Sequence, residues 1–216
     1  MRKKLFVALL LGATALPLLQ GCFPAVATGV GAGVSVAVDR RTLGTQTEDE
    51  SIEWKASSRI GDKLRDRGHF NFTSYNRKVL ITGEVASEEY KAEAGRIVSS
   101  IPNVLGVYNE LVVGPSSSLT DRSNDAFITS KVKSRSVDSG KFNPILVKVV
   151  TEAGTVFLLG RTTPAEQEAA IQVARTTSGV KKVVPLFETI APTKAREIDA
   201  GQSQSGQASA ADSKTQ

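Results

Sequence analysis

The chain has 216 residues, of which 27 are basic and 22 acidic, and its formal net charge is +5. Three of the basic residues, Arg2, Lys3 and Lys4, fall in a predicted signal peptide, so the rest of the chain carries a net charge of only +2. This near balance argues against nucleic acid as a partner, and the single cysteine excludes a fold held by internal disulfides. The length suits two small domains with ordinary apolar cores.

Residues 1–21 have the pattern of a secretory signal peptide, with a basic start followed by the apolar run Leu5–Leu19. About fifteen apolar residues are too few to span a bilayer. The run ends in Leu19-Gln20-Gly21-Cys22, which resembles the bacterial lipobox. The alternative is a plain secretory signal whose cysteine stays unmodified.

The lipobox resemblance has two implications. Cys22 is expected to carry a covalent diacylglycerol and an N-acyl chain such as palmitate, and no other cofactor is expected. Phe23 stands where lipoproteins of the inner membrane usually have aspartate. The resemblance therefore implies an outer-membrane lipoprotein, held by its lipid and facing the periplasm.

Residues 22–47 are rich in glycine, alanine and valine and are interpreted as a lipidated tether. The two-residue spacing of Gly29, Gly31 and Gly33 suggests a phosphate loop, but no strand precedes it and no helical pattern follows. As a flexible coil the tether would reach on the order of 25–30 Å.

The chain then repeats itself, since Asp49–Gly114 and Asp125–Ile190 follow the same order of patterns at a spacing of about 76 residues. Each copy opens with an amphipathic helix and continues with two strands joined by a turn, near Asn76-Arg77 or Glu152-Ala153-Gly154. A second helix, capped at Ser87 or Thr163, leads into a final strand. The pattern predicts an α+β fold with the order α-β-β-α-β in each copy.

The strands supply further expectations. In the second copy Ile145, Val147 and Val149 alternate as in a strand, and the last strands are predicted at 107–113 and 183–190. Pro185 cannot donate to a ladder and indicates an edge strand or a bulge. Apolar residues also fall on the second face of the later strands, which predicts that the two domains pack together. These residues are Phe157, Leu159, Val184 and Leu186.

Short motifs make the repeat similar to a known family. Val79–Gly83 and Val156–Gly160 fit V-x-[LI]-x-G, and Gly179–Val183 fits G-V-x-x-V, as in the BON domain. Two such domains behind a lipobox resemble the dual BON-domain outer-membrane lipoproteins. The resemblance implies BON domains at 48–115 and 116–190, each with two helices packed on a three-stranded mixed sheet. The polar residues 191–216 are predicted to be a disordered tail.

Catalytic groups are scarce, so we expect no enzyme activity. His69 is the only histidine, and no cysteine or second histidine joins it in a recognisable pattern, so no catalytic or metal site is predicted. The acidic run Glu48-Asp49-Glu50 fits a solvated helix cap better than a cation site.

Binding is better supported, and charge indicates the second copy. Residues 45–119 carry a net charge of −2, whereas residues 120–190 carry +3. Ile128 and Val132 share a helix face expected to pack inward, beside a stripe that combines an aromatic ring with cations, as expected at an anionic lipid surface. Trp54 is a rival membrane wedge, although its acidic neighbours favour packing between the domains. The predicted phospholipid-binding residues are Phe127, Ile128, Lys131, Lys133 and Arg135.

The family resemblance extends the functional hypothesis. It implies a non-enzymatic envelope protein that binds anionic phospholipid, namely phosphatidylglycerol or cardiolipin, and supports outer-membrane integrity. The alternative is a protein-interaction module that regulates envelope assembly, cell division or peptidoglycan remodelling. Its partners would be envelope-assembly or division proteins, bound through an uncovered sheet face or the tail.

Overall fold

The computed structural model describes residues 39–201. The signal peptide, Cys22 and residues 202–216 lie outside this range, and so do the predictions made for them. The elements in chain order are α1 (Leu43–Leu64), β1 (Gly68–Tyr75), β2 (Lys78–Val85), α2 (Glu88–Ser99), β3 (Gly106–Asn109), β4 (Val112–Val113), α3 (Leu119–Ser139), a 3₁₀ turn (Pro144–Leu146), β5 (Lys148–Glu152), β6 (Thr155–Thr162), α4 (Pro164–Arg175), β7 (Lys182–Thr189) and α5 (192–201).

Helix α1 begins earlier than predicted, within the segment interpreted as tether. The Thr42 side chain caps it by accepting a hydrogen bond from the backbone N–H of Thr45, and the helix starts at Leu43. Glycine and threonine are weak helix formers, which hid this first turn in the sequence. As expected of the predicted amphipathic helix, one apolar stripe is buried, namely Ile52, Ala56, Ile60 and Leu64.

The first sheet has the predicted hairpin. Strands β1 and β2 are antiparallel and joined by Asn76 and Arg77, which both have positive φ, as a two-residue turn of type I′ requires. Strands β3 and β4 both pair with β2 in parallel. The predicted last strand, 107–113, is therefore interrupted, and Leu111 is buried at the interruption.

The second sheet has the order β5-β6-β7, with one antiparallel and one parallel pairing. Strand β7 lies at the edge, which confirms the interpretation of Pro185. Strand β5 starts at Lys148, later than predicted, because Pro144 begins a 3₁₀ turn that leaves Ile145 exposed. Helix α4 is capped at Thr163, as predicted, through a capping box with Glu166, and has proline at its first position.

Two glycines of the family motif are required by close packing of the backbone. A Cβ on Gly83 would lie 2.0 Å from the carbonyl oxygen of His69, and Gly83 also has a φ of +118°. A Cβ on Gly160 would lie 2.3 Å from the carbonyl oxygen of Leu146. Any side chain at either position would collide with a neighbouring backbone.

Each domain packs two helices on one face of its sheet, and the opposite faces of the two sheets cover each other. The prediction that the domains pack together is confirmed. Alternation along β6 places Val156 and Leu158 in the core of the second domain, whereas Phe157 and Leu159 enter the contact between the sheets. The buried residues of that contact are Tyr75, Leu80, Phe157 and Leu159, flanked by Tyr108, Val150, Val184 and Leu186.

Polar side chains surround this apolar contact. Asn71 of the first domain donates to Glu152 of the second over 2.9 Å, and Asn76 donates to Glu188 over 2.6 Å. Lys148 of the second domain forms an ion pair with Glu53 on α1 over 3.0 Å. These bonds orient the two domains relative to each other.

Asp49 is not the solvated cap that the acidic run predicted. Its side chain is buried and holds the β1–β2 turn, because its carboxylate accepts the backbone N–H groups of Asn76 (2.8 Å) and Arg77 (2.7 Å). Asp125 does the same in the second domain, accepting the backbone N–H groups of Ala153 and Gly154 at 2.8 Å each. The aspartate at the start of each repeat thus joins the first helix to the hairpin turn.

The prediction of disorder from residue 191 is wrong for residues 192–201, which form α5. Ala195 is buried, and Asp199 accepts two hydrogen bonds of 2.9 Å from the guanidinium of Arg40. Arg40 itself is buried, forms a bidentate ion pair with Glu166 and donates to the carbonyl oxygen of Arg161. Tertiary contacts thus order a segment whose own composition is polar.

Tyr75 provides a prediction about the contact between the sheets. Burial, together with the negative charge of Asp39, raises the pKa of its hydroxyl to about 12. The raised pKa contributes stability that is present below the unfolded value of about 10 and is lost as the pH rises through the folded value. Absorbance titration should show one of the three tyrosines ionising near pH 12. Tyr75→Phe should remove that step, and its persistence in the variant would contradict the assignment.

Candidate membrane-binding surface

The predicted lipid-binding residues all lie on α3, but they point in different directions. The helix is capped by Ser118 in a capping box with Asp121 and ends at Gly140, which adopts the left-handed conformation. Ile128 is 0% exposed and, with Val132, belongs to the core of the second domain. Ile128 therefore cannot contact a lipid, and its place in the predicted site was wrong, because its face of the helix packs on the sheet.

Phe127 lies on the solvent side of the helix and is 61% exposed. The Nζ of Lys131, one turn later, stands 4.7 Å from the centre of its ring. At this distance the ammonium group interacts favourably with the face of the ring. The structure thus places an aromatic side chain beside a cation on the protein surface.

Lys131 and Arg135 also have a structural role. Lys131 donates to the carbonyl oxygen of Ser178, and Arg135 donates to the carbonyl oxygen of Thr176 and, over 3.1 Å, to the hydroxyl of Thr177. These acceptors lie at and just beyond the C-terminal end of α4, where the helix dipole favours cations. Both cations therefore hold the two helices of the domain together.

Lys133 is exposed and lies about 120° around the helix from Phe127. Lys133 thus places a positive charge on the side of the exposed face away from Lys131 and Arg135. Arg135 of α3, Gln172 of α4 and Lys141 line an open cleft of about 620 Å³ between the two helices. Lys131 thus lies over the aromatic ring, whereas Lys133 and Arg135 lie to its two sides.

Two further exposed apolar residues of α3 were missed. Leu119 is 80% exposed and Val137 is 65% exposed. They are 18 residues apart, which is five helical turns, so they lie on one line parallel to the helix axis. Phe127 lies about 80° around the helix axis from this line. This spacing was available in the sequence and could have revealed the pair. We call Leu119, Phe127 and Val137, with the small residues between them, the outer face of α3.

The acidic neighbours of Trp54 had suggested that it packs between the domains. It does not, because its side chain is 72% exposed on α1. Lys55, Arg59 and Pro102 lie beside it. Trp54 is thus a second exposed aromatic side chain, on the domain that carries the net negative charge.

One cluster within residues 39–201 has donors that suit a metal ion, although none was predicted. His69, Glu84 and Glu152 meet at the edge of the contact between the sheets. No described helix between residues 39 and 201 is both long and apolar enough to cross a bilayer.

Comparison with known proteins agrees with the repeat seen in the sequence. The model of the BON domain family matches residues 48–115 and 124–191. The outer membrane lipoprotein DolP of Haemophilus influenzae is 40% identical over 184 residues, covering 84% of this chain and 94% of that protein. A 21 kDa hemolysin of Actinobacillus pleuropneumoniae is 32% identical over 155 residues, covering 71% of this chain and 80% of its own.

Among solved structures, the C-terminal domain of CdsD, a type III secretion protein of Chlamydia trachomatis, covers 64% of this chain and 96% of its own. Its sequence identity is 14% and its TM-score 0.27. The chain belongs to the BON-domain family and is a dual-BON outer-membrane lipoprotein of the DolP type.

Proposed function

We propose that this protein binds anionic phospholipid, phosphatidylglycerol or cardiolipin, through the outer face of α3. It does so without catalysing a reaction and thereby supports outer-membrane integrity. The observation that carries the proposal is Phe127, exposed on a helix surface with a lysine ammonium 4.7 Å from its ring centre. A single exposed aromatic residue is ordinary, but three large apolar side chains along one face of a helix form a surface that can enter a lipid interface.

The magnitudes favour a weak but useful contact. Burying a phenylalanine side chain contributes about 1.5–3 kcal/mol, and each cation near an anionic lipid surface about 1 kcal/mol. Lys131 and Arg135 already bind carbonyl oxygens, so Lys133 is the cation best placed to act through charge alone. The electrostatic part of this binding should weaken as the salt concentration rises.

A lipid anchor on Cys22 would strengthen this contact. We propose that Cys22 carries the acyl chains, because two or more chains give the stable attachment that one chain does not. From Cys22 to Asp39 the chain advances 17 positions, which span at most about 60 Å when extended. Arg40 then binds Arg161 and Glu166 of the second domain. Arg41, the next residue, binds Asp49 of the first domain. The anchored segment therefore joins the folded region at the junction of the two domains, and the anchor would raise the effective concentration of α3 at the membrane.

The alternative, a protein-interaction module, has lost one of its two proposed surfaces. The sheet faces that it required cover each other. An exposed patch around Trp54 remains available to a protein partner. The alternative would replace lipid binding if the protein ignored anionic vesicles but retained an envelope protein through Trp54.

The proposal predicts that Phe127→Ala weakens binding to phosphatidylglycerol and cardiolipin vesicles by about tenfold or more, because the inserted ring is lost. Lys133→Glu should weaken it about fivefold or more, because a cation near the surface is lost and an anion replaces it. Lys133 is preferred to Lys131 or Arg135 for charge reversal, because those two also hold α4 in place. Co-sedimentation with vesicles measures both effects, in protein that carries Cys22→Ser and so depends on α3 alone.

Trp54→Ala is the matched control, since it removes an equally exposed aromatic ring from the other domain. It should bind vesicles like the parent protein, and no variant should bind phosphatidylcholine vesicles appreciably. Unchanged binding by Phe127→Ala, or an equal loss in Trp54→Ala, would contradict the proposed surface.

A further inference from the structure

Three side chains that can bind metal meet where the two sheets face each other. His69 on β1 and Glu84 on β2 are directly opposite partners in the antiparallel ladder, and Glu152 is the last residue of β5. One imidazole nitrogen and one carboxylate oxygen from each glutamate all lie within 4.8 Å of one another. The cluster therefore draws its donors from both domains.

The imidazole of His69 lacks the partner that a buried polar atom normally has. Its Nδ1 is buried and, among residues 39–201, accepts and donates no hydrogen bond. It lies 3.5 Å from Oε2 of Glu84. A nitrogen lone pair beside a carboxylate oxygen is unfavourable unless a proton or a cation lies between them.

The carboxylates also lack a permanent counter-charge. Glu84 and Glu152 are both buried, and within the described range 39–201 neither has a lysine or arginine nitrogen within 4 Å. Arg122 lines a cleft next to His69 and Glu152, but its guanidinium donates to the hydroxyl and carbonyl oxygens of Ser117. Two neighbouring buried carboxylates repel each other, and a bound cation would relieve that repulsion.

The kind of cation follows from the donors. One imidazole nitrogen and two carboxylate oxygens suit Zn²⁺, whereas Ca²⁺ takes six to eight oxygens. Tetrahedral Zn²⁺ with bonds of about 2.0–2.2 Å holds its ligand atoms about 3.3–3.5 Å apart. The distance of 3.5 Å between His69 and Glu84 already fits, and Glu152 would approach by rotating its flexible side chain. The adjoining cleft, about 260 Å³ in volume, leaves room for a water molecule as the fourth ligand.

We propose that His69, Glu84 and Glu152 bind one Zn²⁺ ion that links the two BON domains. The ion would join β1 and β2 of the first sheet to the end of β5 in the second. Because the complete ligand set exists only when the domains are packed, metal binding and domain packing stabilise each other. The site is independent of the lipid-binding surface on α3.

Titration calorimetry with Zn²⁺ tests the site in chelator-treated protein without an affinity tag. Cys22→Ser is introduced throughout, so that the only thiol cannot bind the ion. We expect one equivalent of Zn²⁺ to bind. His69→Gln and Glu152→Gln should each weaken binding by at least about tenfold, since even an outer-shell partner is usually worth 10- to 100-fold.

Glu188→Gln is the matched control. Glu188 also accepts a side-chain amide from the first domain, from Asn76, as Glu152 does from Asn71, but it lies outside the cluster. Glu152→Gln keeps an oxygen for Asn71, so the packing of the domains is preserved. At about a hundredfold excess over Kd, Zn²⁺ should raise the Tm of the parent and of Glu188→Gln by about 5–10 °C, and that of Glu152→Gln much less.

A second readout does not depend on any variant of the cluster. His69 is the only histidine of the chain, so its ring nitrogens give unambiguous NMR signals. Zn²⁺ should shift the Nδ1 resonance, because Nδ1 is the nitrogen that faces Glu84. The proposal would be overturned by an absence of Zn²⁺ binding, by an unchanged imidazole spectrum, or by equal affinities of the parent, His69→Gln and Glu152→Gln.

Discussion

Asp49→Ala is expected to lower the free energy of unfolding of the protein by about 3–5 kcal/mol, because it removes a buried charge that other groups require. The carboxylate accepts the backbone N–H groups of Asn76 and Arg77, the hydroxyl of Ser74 at 2.6 Å and a guanidinium N–H of Arg41 at 2.6 Å. Without it, buried donors of the β1–β2 turn lose their acceptor. Urea-induced unfolding followed by circular dichroism measures the loss.

Glu50→Ala is the control for this prediction, because Glu50 is the exposed neighbour in the same acidic run. Its effect should stay within about 0.5 kcal/mol, as is usual for surface substitutions. Asp125→Ala should reproduce the effect of Asp49→Ala in the second domain, where the carboxylate accepts two backbone N–H groups. Equal stability of the Asp49→Ala and Glu50→Ala proteins would refute the role assigned to the repeated aspartate.

Arg40→Met should destabilise the protein by a similar amount, about 3–5 kcal/mol, because it breaks a buried ion-pair network. The Arg40 guanidinium bonds to Glu166 at 2.7 and 2.9 Å, and its hydrogen bonds with Asp199 are the largest cause of its raised pKa. The variant should also loosen α5, since Asp199 lies on that helix. Hydrogen exchange of the backbone amides of residues 192–201 should therefore become faster.

The pH dependence of this effect follows from Glu166. Burial acts to raise its pKa, but the hydrogen bonds from Arg40 and Thr163 outweigh burial and hold the pKa below the usual value. The stabilisation is thus fully present above the unfolded value of about 4.3 and is lost as the pH falls through the lowered folded value. The difference between the parent and Arg40→Met should be large near neutral pH and should shrink as the pH falls below the ordinary pKa of glutamate.

The exposed ion pair between Lys194 and Glu197 on α5 provides the control for the buried ion pairs of Arg40. Both side chains are more than half exposed, so Lys194→Met should change stability by less than about 1 kcal/mol. If Arg40→Met were as mild as Lys194→Met, or if its effect persisted unchanged in acid, the network would not have the role assigned to it.

Local sequence rules predicted elements whose structure depends on near neighbours. The turn at Asn76-Arg77, the cap at Thr163 and the edge strand of Pro185, one of the two options predicted for that residue, all follow from the chemistry of one to four residues. The same rules erred in two places. The first turn of α1 contains glycine and threonine, which favour a helix poorly. The helix at 192–201 contains good helix formers such as Lys194, Ala195 and Glu197, but the polar composition of the whole segment 191–216 hid it.

The candidate site shows the same division. Helical periodicity placed Phe127 and Lys131 on one stripe and Ile128 on the inward face, but only the packed structure showed that Lys131 and Arg135 bind the carbonyl oxygens beyond α4. The exposed Leu119 and Val137 could have been found from their spacing of 18 residues. The carbonyl oxygens that bind Lys131 and Arg135 could not have been found from the sequence. They follow another helix, and the distance between the two helices is set by the packing of the core.

The sequence by itself determined the two-domain repeat, the α-β-β-α-β order and the pairing of each hairpin, because these depend on side-chain periodicity and turn chemistry within short segments. Only the tertiary structure decided which surfaces remain exposed. The sheet faces that carry no helices pack against each other, and Phe127 and Trp54 are exposed to solvent. His69 and Glu84 lie close to Glu152 of the other domain. Such contacts join residues far apart in the chain, and their geometry is fixed by the packing of both domains together.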